Sequence, residues 1–483
     1  MTLCDPIRLN RRAFVGRALG GLGGIALSSL LLGDAKSART ASAVRPPGTD
    51  FAPRAKRAIW LTMGGGVSQL DTFDYKPKLT ALYDTDLPAS VIGGQRLTGM
   101  TSGQARFPIA PSMYAFAQGG TSGAWVSDLL PWTRKMVDEL TIVRTIYTES
   151  INHDPAMFNL NTGNQNPGKP PLGAWLAYGL GSLDDNVPTF VVMTSRFETT
   201  AFVQPISTEL WGSAFLPAET SAVPVRGVGD PILYLANPPG VSVEARRTML
   251  DAVHGMNDLA SASSGDPSID GRTTQYEAAF RMQASVPSLM DLSGESAATL
   301  ALYGPDVTTP GTFAANCLRA RRMLEQGVRF VQIYHRGWDA HGQLPNSYPS
   351  QCADIDQASY GLIMDLKQRG LLEDTLVMWG GEFGRTVYCQ GTLTPDDYGR
   401  DHHPRCFTMW FAGGGLKPGT VYGETDDFSY NIASGGVHLR DMHATVLHQF
   451  GLDHDRLTYT YSGLDQRLVG VDAPANVVTP ILA

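Results

Sequence analysis

The chain is poor in cysteine, with five in 483 residues and no C-x-x-C among them. That excludes a scaffold built on disulfides. Basic residues are also scarce, 38 Lys and Arg against 46 Asp and Glu, a net charge of −8. An acidic chain is a poor partner for nucleic acid or for an anionic membrane surface. Beyond the first forty residues no apolar run is long enough to span a bilayer. Internal repeats are absent too.

The amino-terminal segment has the one extended apolar stretch. "LNRRAFVGRALGGLGGIALSSLLLG" has a basic start with Arg11, Arg12 and Phe14, and "TASAV" offers a small-residue cleavage site after Ala43. This pattern predicts a twin-arginine export signal over 1–43 and a mature protein placed in the periplasm or outside the cell. Removing it takes six basic and two acidic residues, leaving 32 against 44 and a net charge of −12. Cys4 goes with it, so "CDPIR", which fits a sulfatase-type C-x-P-x-R motif, is read as coincidence. Cys317, Cys352, Cys389 and Cys406 remain, with room for one bridge in an oxidising compartment.

With 43% apolar residues and 17% charged, the remaining chain can bury a large core. Short apolar runs end in glycine or polar clusters. "RAIWLTM" runs into "GGGVSQLD", "VRFVQIY" into "HRGWDAHG", "DTLVMW" into "GGEFGR", and "CFTMWFA" into "GGGLKPG". Amphipathic stretches such as "TFAANCLRARRMLEQG" and "QASYGLIMDLKQRGLLE" separate them. The alternation predicts an α/β fold with a largely parallel sheet flanked by helices. In such sheets ligands bind at the carboxyl ends of the strands. The stretch at about 195–304 has a different texture and reads as a cap or insertion within a single domain over 56–483.

Chemistry-bearing residues gather after those strands. "GWDAHG" carries Asp339 and His341 two residues apart, which points both to one side of an extended chain. "GGEFGR" carries Glu382 and Arg385, and "GRDHHPR" carries Asp401, His402 and His403. Imidazoles mixed with carboxylates suit one divalent cation. Any one pair alone is more often a loop or a helix cap. Earlier, "INHDPAMFNLNTG" places His153 and Asp154 at an expected helix start. Asp154 there reads either as an N-cap before Pro155 or as part of a site for an anion or a nucleophile. Asp441 reads as another helix start, with His443 and His448 structural on the helix that follows.

In this order "MGGGVSQLDTFDYKP", "INHDPAMFNLNTGNQNPG", "YHRGWDAHGQLP", "WGGEFGRT", "GRDHHPRCFTMWFAGGGLKPGTVYGETDD" and "VHLRDMHATVLHQFGLDHDRLTY" resemble the domain-of-unknown-function 1501 family. That family is sulfatase-like and grouped with the alkaline phosphatase superfamily. The resemblance runs from about Lys56 to the carboxyl terminus. It implies an alkaline-phosphatase-like fold and a hydrolase of sulfate or phosphate esters, such as those of an extracellular polysaccharide. It implies one divalent ion (Zn, Ca or Mg) on Asp339, His341, Glu382 and His402 or His403. Arg336 or Arg385 would pair with the anionic oxygens.

The superfamily's pattern is kept only in part. Gly64, Gly65 and Gly66 stand where a metal-binding Asp normally ends the first strand, with Asp71 and Asp74 further on. Phe383 replaces a metal-binding His. His153 falls about where the nucleophile would be, with Asp154 beside it. Two functions follow: a single-metal ester hydrolase, or a non-catalytic member that binds an anionic glycan or a protein partner.

Overall fold

The computed structural model describes residues 48–196, 203–232, 237–238, 240–264 and 291–483, with scattered positions from 269 to 290. The export signal, its cleavage site and Cys4 lie outside the described residues. Two compact units are present. One is formed by Pro46–Gly227 and Asp291–Ala483; the other includes Val228–Met290. The stretch expected at about 195–304 thus divides between them. Among the described residues no helix is long and apolar enough to cross a membrane.

The first unit is built on a nine-stranded sheet. Its strands are β1 (Arg57–Gly64), β2 (Leu140–Tyr147), β3 (Phe190–Thr194), β4 (Val223–Val225), β5 (Phe330–Arg336), β6 (Thr375–Gly380), β9 (Phe407–Ala412), β10 (Thr420–Tyr422) and β11 (Val437–His438). Between β6 and β9 the chain forms a separate antiparallel ladder of β7 (Gly384–Cys389) and β8 (Arg400–His403). The spatial order is β10-β2-β9-β6-β1-β5-β3-β4, with β11 paired to β2. Only β9 runs against its neighbours. This is the largely parallel α/β architecture expected. Parallel strands are covered on both faces, which explains their nearly continuous apolar sequences; β1 is buried along seven of its eight residues.

Alternation along the strands divides the two faces. On one face Ala58, Trp60, Phe330 and Tyr334 join a core with Leu160, Trp175, Met442 and Val446. Those last four belong to α1 (His153–Thr162), α2 (Leu172–Leu180) and α6 (Leu439–Gln449). On the other face α4 (Phe313–Glu325) packs on β5 and on α5 (Leu344–Gln368), and His335 meets the ring of Phe313. In the second unit, α3 (Val243–Ser264) carries Arg247, which is paired with Asp251 and Glu277.

Helix α1 is fixed by polar contacts as well as apolar ones. Asn161 Oδ1 accepts from Gln332 Nε2 at 2.7 Å and from Tyr334 Oη at 2.9 Å, both on β5. That anchors one end of α1 on the sheet, and His153 lies at its other end. Asp441 sits in a capping box with His438 at the start of α6, as its sequence suggested. His443 is buried, donating from Nε2 to the carbonyl of Leu160 at 2.8 Å. The four cysteines are buried and unbridged.

His403 and His443 make acid a direct threat to this fold. Burial depresses each to about 4. An unfolded chain would bind those protons near pH 6.5. Their support is therefore complete above about pH 6.5 and is lost as pH falls towards 4. The full loss is roughly 3 kcal/mol for each. In urea unfolding at pH 7 and pH 5, His443→Asn is expected to be less stable at pH 7 but to show a shallower pH dependence. An unchanged pH dependence would show that this imidazole carries no such load.

Candidate metal centre

Strand register brings three chain reversals to one place. Gly64 pairs with Arg336, and Thr62 with Gly380, so β1, β5 and β6 end side by side. The loops that follow carry Gly65–Gly66, Gly337–His341 and Gly381–Phe383. Gly65 has φ +122°, and a Cβ there would lie 2.7 Å from the Asp339 amide nitrogen. Gly66 has φ +73°, and its Cβ would lie 2.6 Å from the Phe383 ring. These glycines thus let the neighbouring loops close over the end of β1. The His341 loop is held by the segment leading into β8: Arg400 N donates to Ala340 O, and Leu344 N to Tyr398 O, both at 3.0 Å.

Four donors converge there. One donor atom from each of His153, Asp339, His341 and His402 lies within 4.8 Å of all the others. Asp339 Oδ1 is 3.2 Å from His153 Nε2, 2.8 Å from His341 Nε2 and 3.4 Å from His402 Nε2. Each imidazole is oriented through its other nitrogen. Nδ1 of His153 meets Glu382 Oε1 at 2.7 Å, that of His341 meets Gln390 Oε1 at 2.6 Å, and that of His402 meets the Ile151 carbonyl at 2.8 Å. Carboxylate, amide and carbonyl oxygens accept, so each Nδ1 holds a proton, and Nε2 is the nitrogen turned to Asp339, open to a cation when it carries no proton. Nε2 of His153 and of His402 is buried without a hydrogen-bond partner.

Where those nitrogens carry no proton, their lone pairs and the carboxylate oxygen repel one another unless something positive lies between them. Arg385 supplies part of that charge, donating from Nη2 to Asp339 Oδ1 at 2.6 Å. Burial opposes ionisation of Asp339, yet the three imidazoles and Arg385 outweigh it and hold its pKa below the usual carboxylate range. Burial likewise pulls His153 down, but Asp339 and Glu382 together lift it above its ordinary value. His402, buried beside Arg385 and the other imidazoles, falls to about 4. A cation on the four donors would relieve the mutual repulsion of all of them. Edges of a tetrahedron with bonds of 2.0–2.2 Å are about 3.3–3.6 Å; the His153 and His402 separations from Oδ1, 3.2 and 3.4 Å, are near that, and His341, at 2.8 Å, would move outward by about half an ångström.

The arrangement behind this ring assigns the expected residues differently. Glu382 is not one of the four; it holds His153 and accepts the Gly65 amide at 3.0 and 3.2 Å. His403 turns away, donating from Nε2 to the Tyr430 carbonyl at 2.7 Å and stacking on that ring. Adjacent residues on β8 point to opposite faces, so only one of the two histidines reaches the centre. Arg385 is wholly buried. It donates to Gly66 O, Arg400 O and Gly65 O besides Asp339, so it braces the loops and faces no open cleft. Asp154 is exposed on the first turn of α1, whose N-cap is Asn152; it does not join the cluster. Arg336 ends β5 half-buried, and burial lowers its guanidinium pKa. Phe383 packs its ring 4.6 Å from that of His402 and 4.9 Å from that of His153.

Two residues were not read from the sequence. Gln390 orients His341, and Gln204 donates from Nε2 to Asp339 Oδ2 at 3.0 Å. An isolated glutamine carries no motif, so nothing in the sequence marked either.

The family model described as "Protein of unknown function (DUF1501)" matches residues 55–482. The chain belongs to the DUF1501 family. Comparison with curated proteins returned no match. Among solved structures, this DUF1501 member is similar to "Ps i-CgsB in complex with k-i-k-neocarrahexaose" at 10% identity and a TM-score of 0.36, covering 83% of this chain and 72% of that one. It is similar to the PsFucS1 sulfatase from Pseudoalteromonas sp. at 13% identity and a TM-score of 0.35, covering 89% and 72%. Alkaline phosphatase from the Antarctic bacterium TAB5 is similar at 11% identity and a TM-score of 0.32, covering 83% and 99%.

Proposed function

We propose that this DUF1501 protein is an exported, single-metal hydrolase of sulfate or phosphate esters, acting in the periplasm or outside the cell on an anionic glycan. The observation that carries the reading is the convergence of three oriented imidazole nitrogens, those of His153 and His402 buried, on one carboxylate oxygen. His153, Asp339, His341 and His402 would hold the ion. When bound, it would polarise the ester or lower the pKa of a water. Glu382, Gln390 and the Ile151 carbonyl keep each imidazole in the tautomer that can bind. Arg385 and Gln204 hold Asp339 through its two oxygens. His341 is the ligand open to solvent, its side chain 23% exposed, so substrate would enter from its side, and Arg336 would meet the anionic oxygens.

A second reading has its own observation. His153 occupies the place where the resemblance puts a nucleophile, and its imidazole is committed to Glu382 and the cluster. That favours a member that binds an anionic glycan or protein partner without cleaving it.

Assay of the metal-loaded mature protein on aryl sulfates, aryl phosphates and sulfated polysaccharides separates the two readings. The hydrolase reading expects turnover that a chelator abolishes and metal restores. Tight retention of a sulfated polysaccharide with no product would leave the binding reading in its place. Changing Arg336 to Ala should raise KM more than it lowers kcat, since its contact is with the substrate's charge.

A further inference from the structure

We infer that the centre selects a borderline transition-type divalent ion, of the zinc or cobalt class, against calcium and magnesium, and that His153 makes this selection. The inference rests on the proposed metal site but not on any catalytic activity. Calcium takes six to eight oxygen ligands, and magnesium keeps an oxygen octahedron rich in water. The donors here are three imidazole nitrogens and one carboxylate oxygen. Imidazole suits zinc, copper, iron and nickel, with affinities rising along the first transition row. Further oxygen ligands are hard to recruit. Asp339 Oδ2 is taken by Gln204, and Arg385 already lies on Oδ1. Glu382 is turned to His153 and the Gly65 amide.

His153 is decisive because it supplies a nitrogen donor at the buried end of the site. It is 7% exposed and Asp339 3%, beside the Phe383 ring, so no water shell can make up an oxygen-rich sphere there. Glu382 at 2.7 Å keeps a proton on Nδ1, so Nε2 is the nitrogen that faces the site, and a metal bound there displaces any proton it carries. A ligand held in its binding tautomer raises affinity.

The test is competition. Chelator-treated mature protein is titrated with Co(II) followed by its visible absorption, and with Zn(II), in the presence of Ca(II) or Mg(II). The expected result is one equivalent of Co(II), displaced by Zn(II) and resistant to a thousandfold excess of Ca(II) or Mg(II). Changing His153 to Gln should weaken Co(II) at least tenfold and alter its spectrum. Displacement by Ca(II) or Mg(II) at comparable concentration would overturn the selectivity, and an unchanged spectrum in His153→Gln would overturn the role of that residue. The wild-type competition decides the selectivity even where the variant folds poorly. A centre that binds zinc selectively but hydrolyses nothing would sink the hydrolase reading and leave this one standing; a hydrolase working on Mg(II) would do the reverse.

Discussion

Replacing Asp339 by Ala is expected to abolish metal binding and to cost about 3–5 kcal/mol of stability, even in metal-free protein. Two effects coincide at this carboxylate. It is the common point to which the three Nε2 atoms converge. It is also the counter-charge of Arg385, a guanidinium with no exposed surface. Removing it leaves a buried cation held only by carbonyl oxygens of the loops it braces. Asp339→Asn keeps the shape and a hydrogen-bond acceptor for Arg385 but removes the charge. It should lose metal as fully while costing less stability than Ala. Equilibrium unfolding of the two variants with and without chelator distinguishes these terms. If Asp339→Ala unfolds like the wild type, Arg385 does not depend on it and the account of the site's electrostatics fails.

Gly65→Ala is expected to be nearly as damaging, by about 2–5 kcal/mol, through strain and overpacking together. The residue sits at φ +122°, and an added methyl would press on the Asp339 amide at 2.7 Å and on the Trp338 amide at 2.8 Å. The same push would carry Asp339 out of reach of the histidines, so metal affinity should fall along with stability. Gly94, where an added Cβ meets nothing within 4 Å, is the control: Gly94→Ala should leave metal affinity unchanged. Metal affinity preserved in Gly65→Ala would mean that the "GGG" turn is not what lets the loops close.

These expectations rest on features that the sequence displayed unequally. The parallel sheet was legible because its strands are buried on both faces and read as apolar runs ending in glycine. Asp339 and His341 stood out because an alternating pair after such a run aims at one point. The choice between His402 and His403 was not legible. Both are on β8, and only the register opposite Arg385 and Gly384 decides which faces the centre. That His153 and not Glu382 stands in the cluster was hidden for a similar reason. The residue types suggested a carboxylate ligand and a catalytic imidazole, but which of two neighbouring groups stands inward depends on the packing of α1 on β5, set by Asn161, Gln332 and Tyr334. Arg385 drew notice as a charge beside a carboxylate. Its burial among loop carbonyls comes from the tertiary closure around the glycines, which no local pattern encodes.

The central claim is that His153, Asp339, His341 and His402 hold one metal ion. Anomalous diffraction from crystals of the zinc-loaded mature protein tests it most directly. The account predicts a single strong peak at the zinc edge, about 2.0–2.2 Å from Nε2 of His153, His341 and His402 and from Oδ1 of Asp339. No peak at that position, or a peak coordinated by His403 or Glu382 in place of His153, would contradict it.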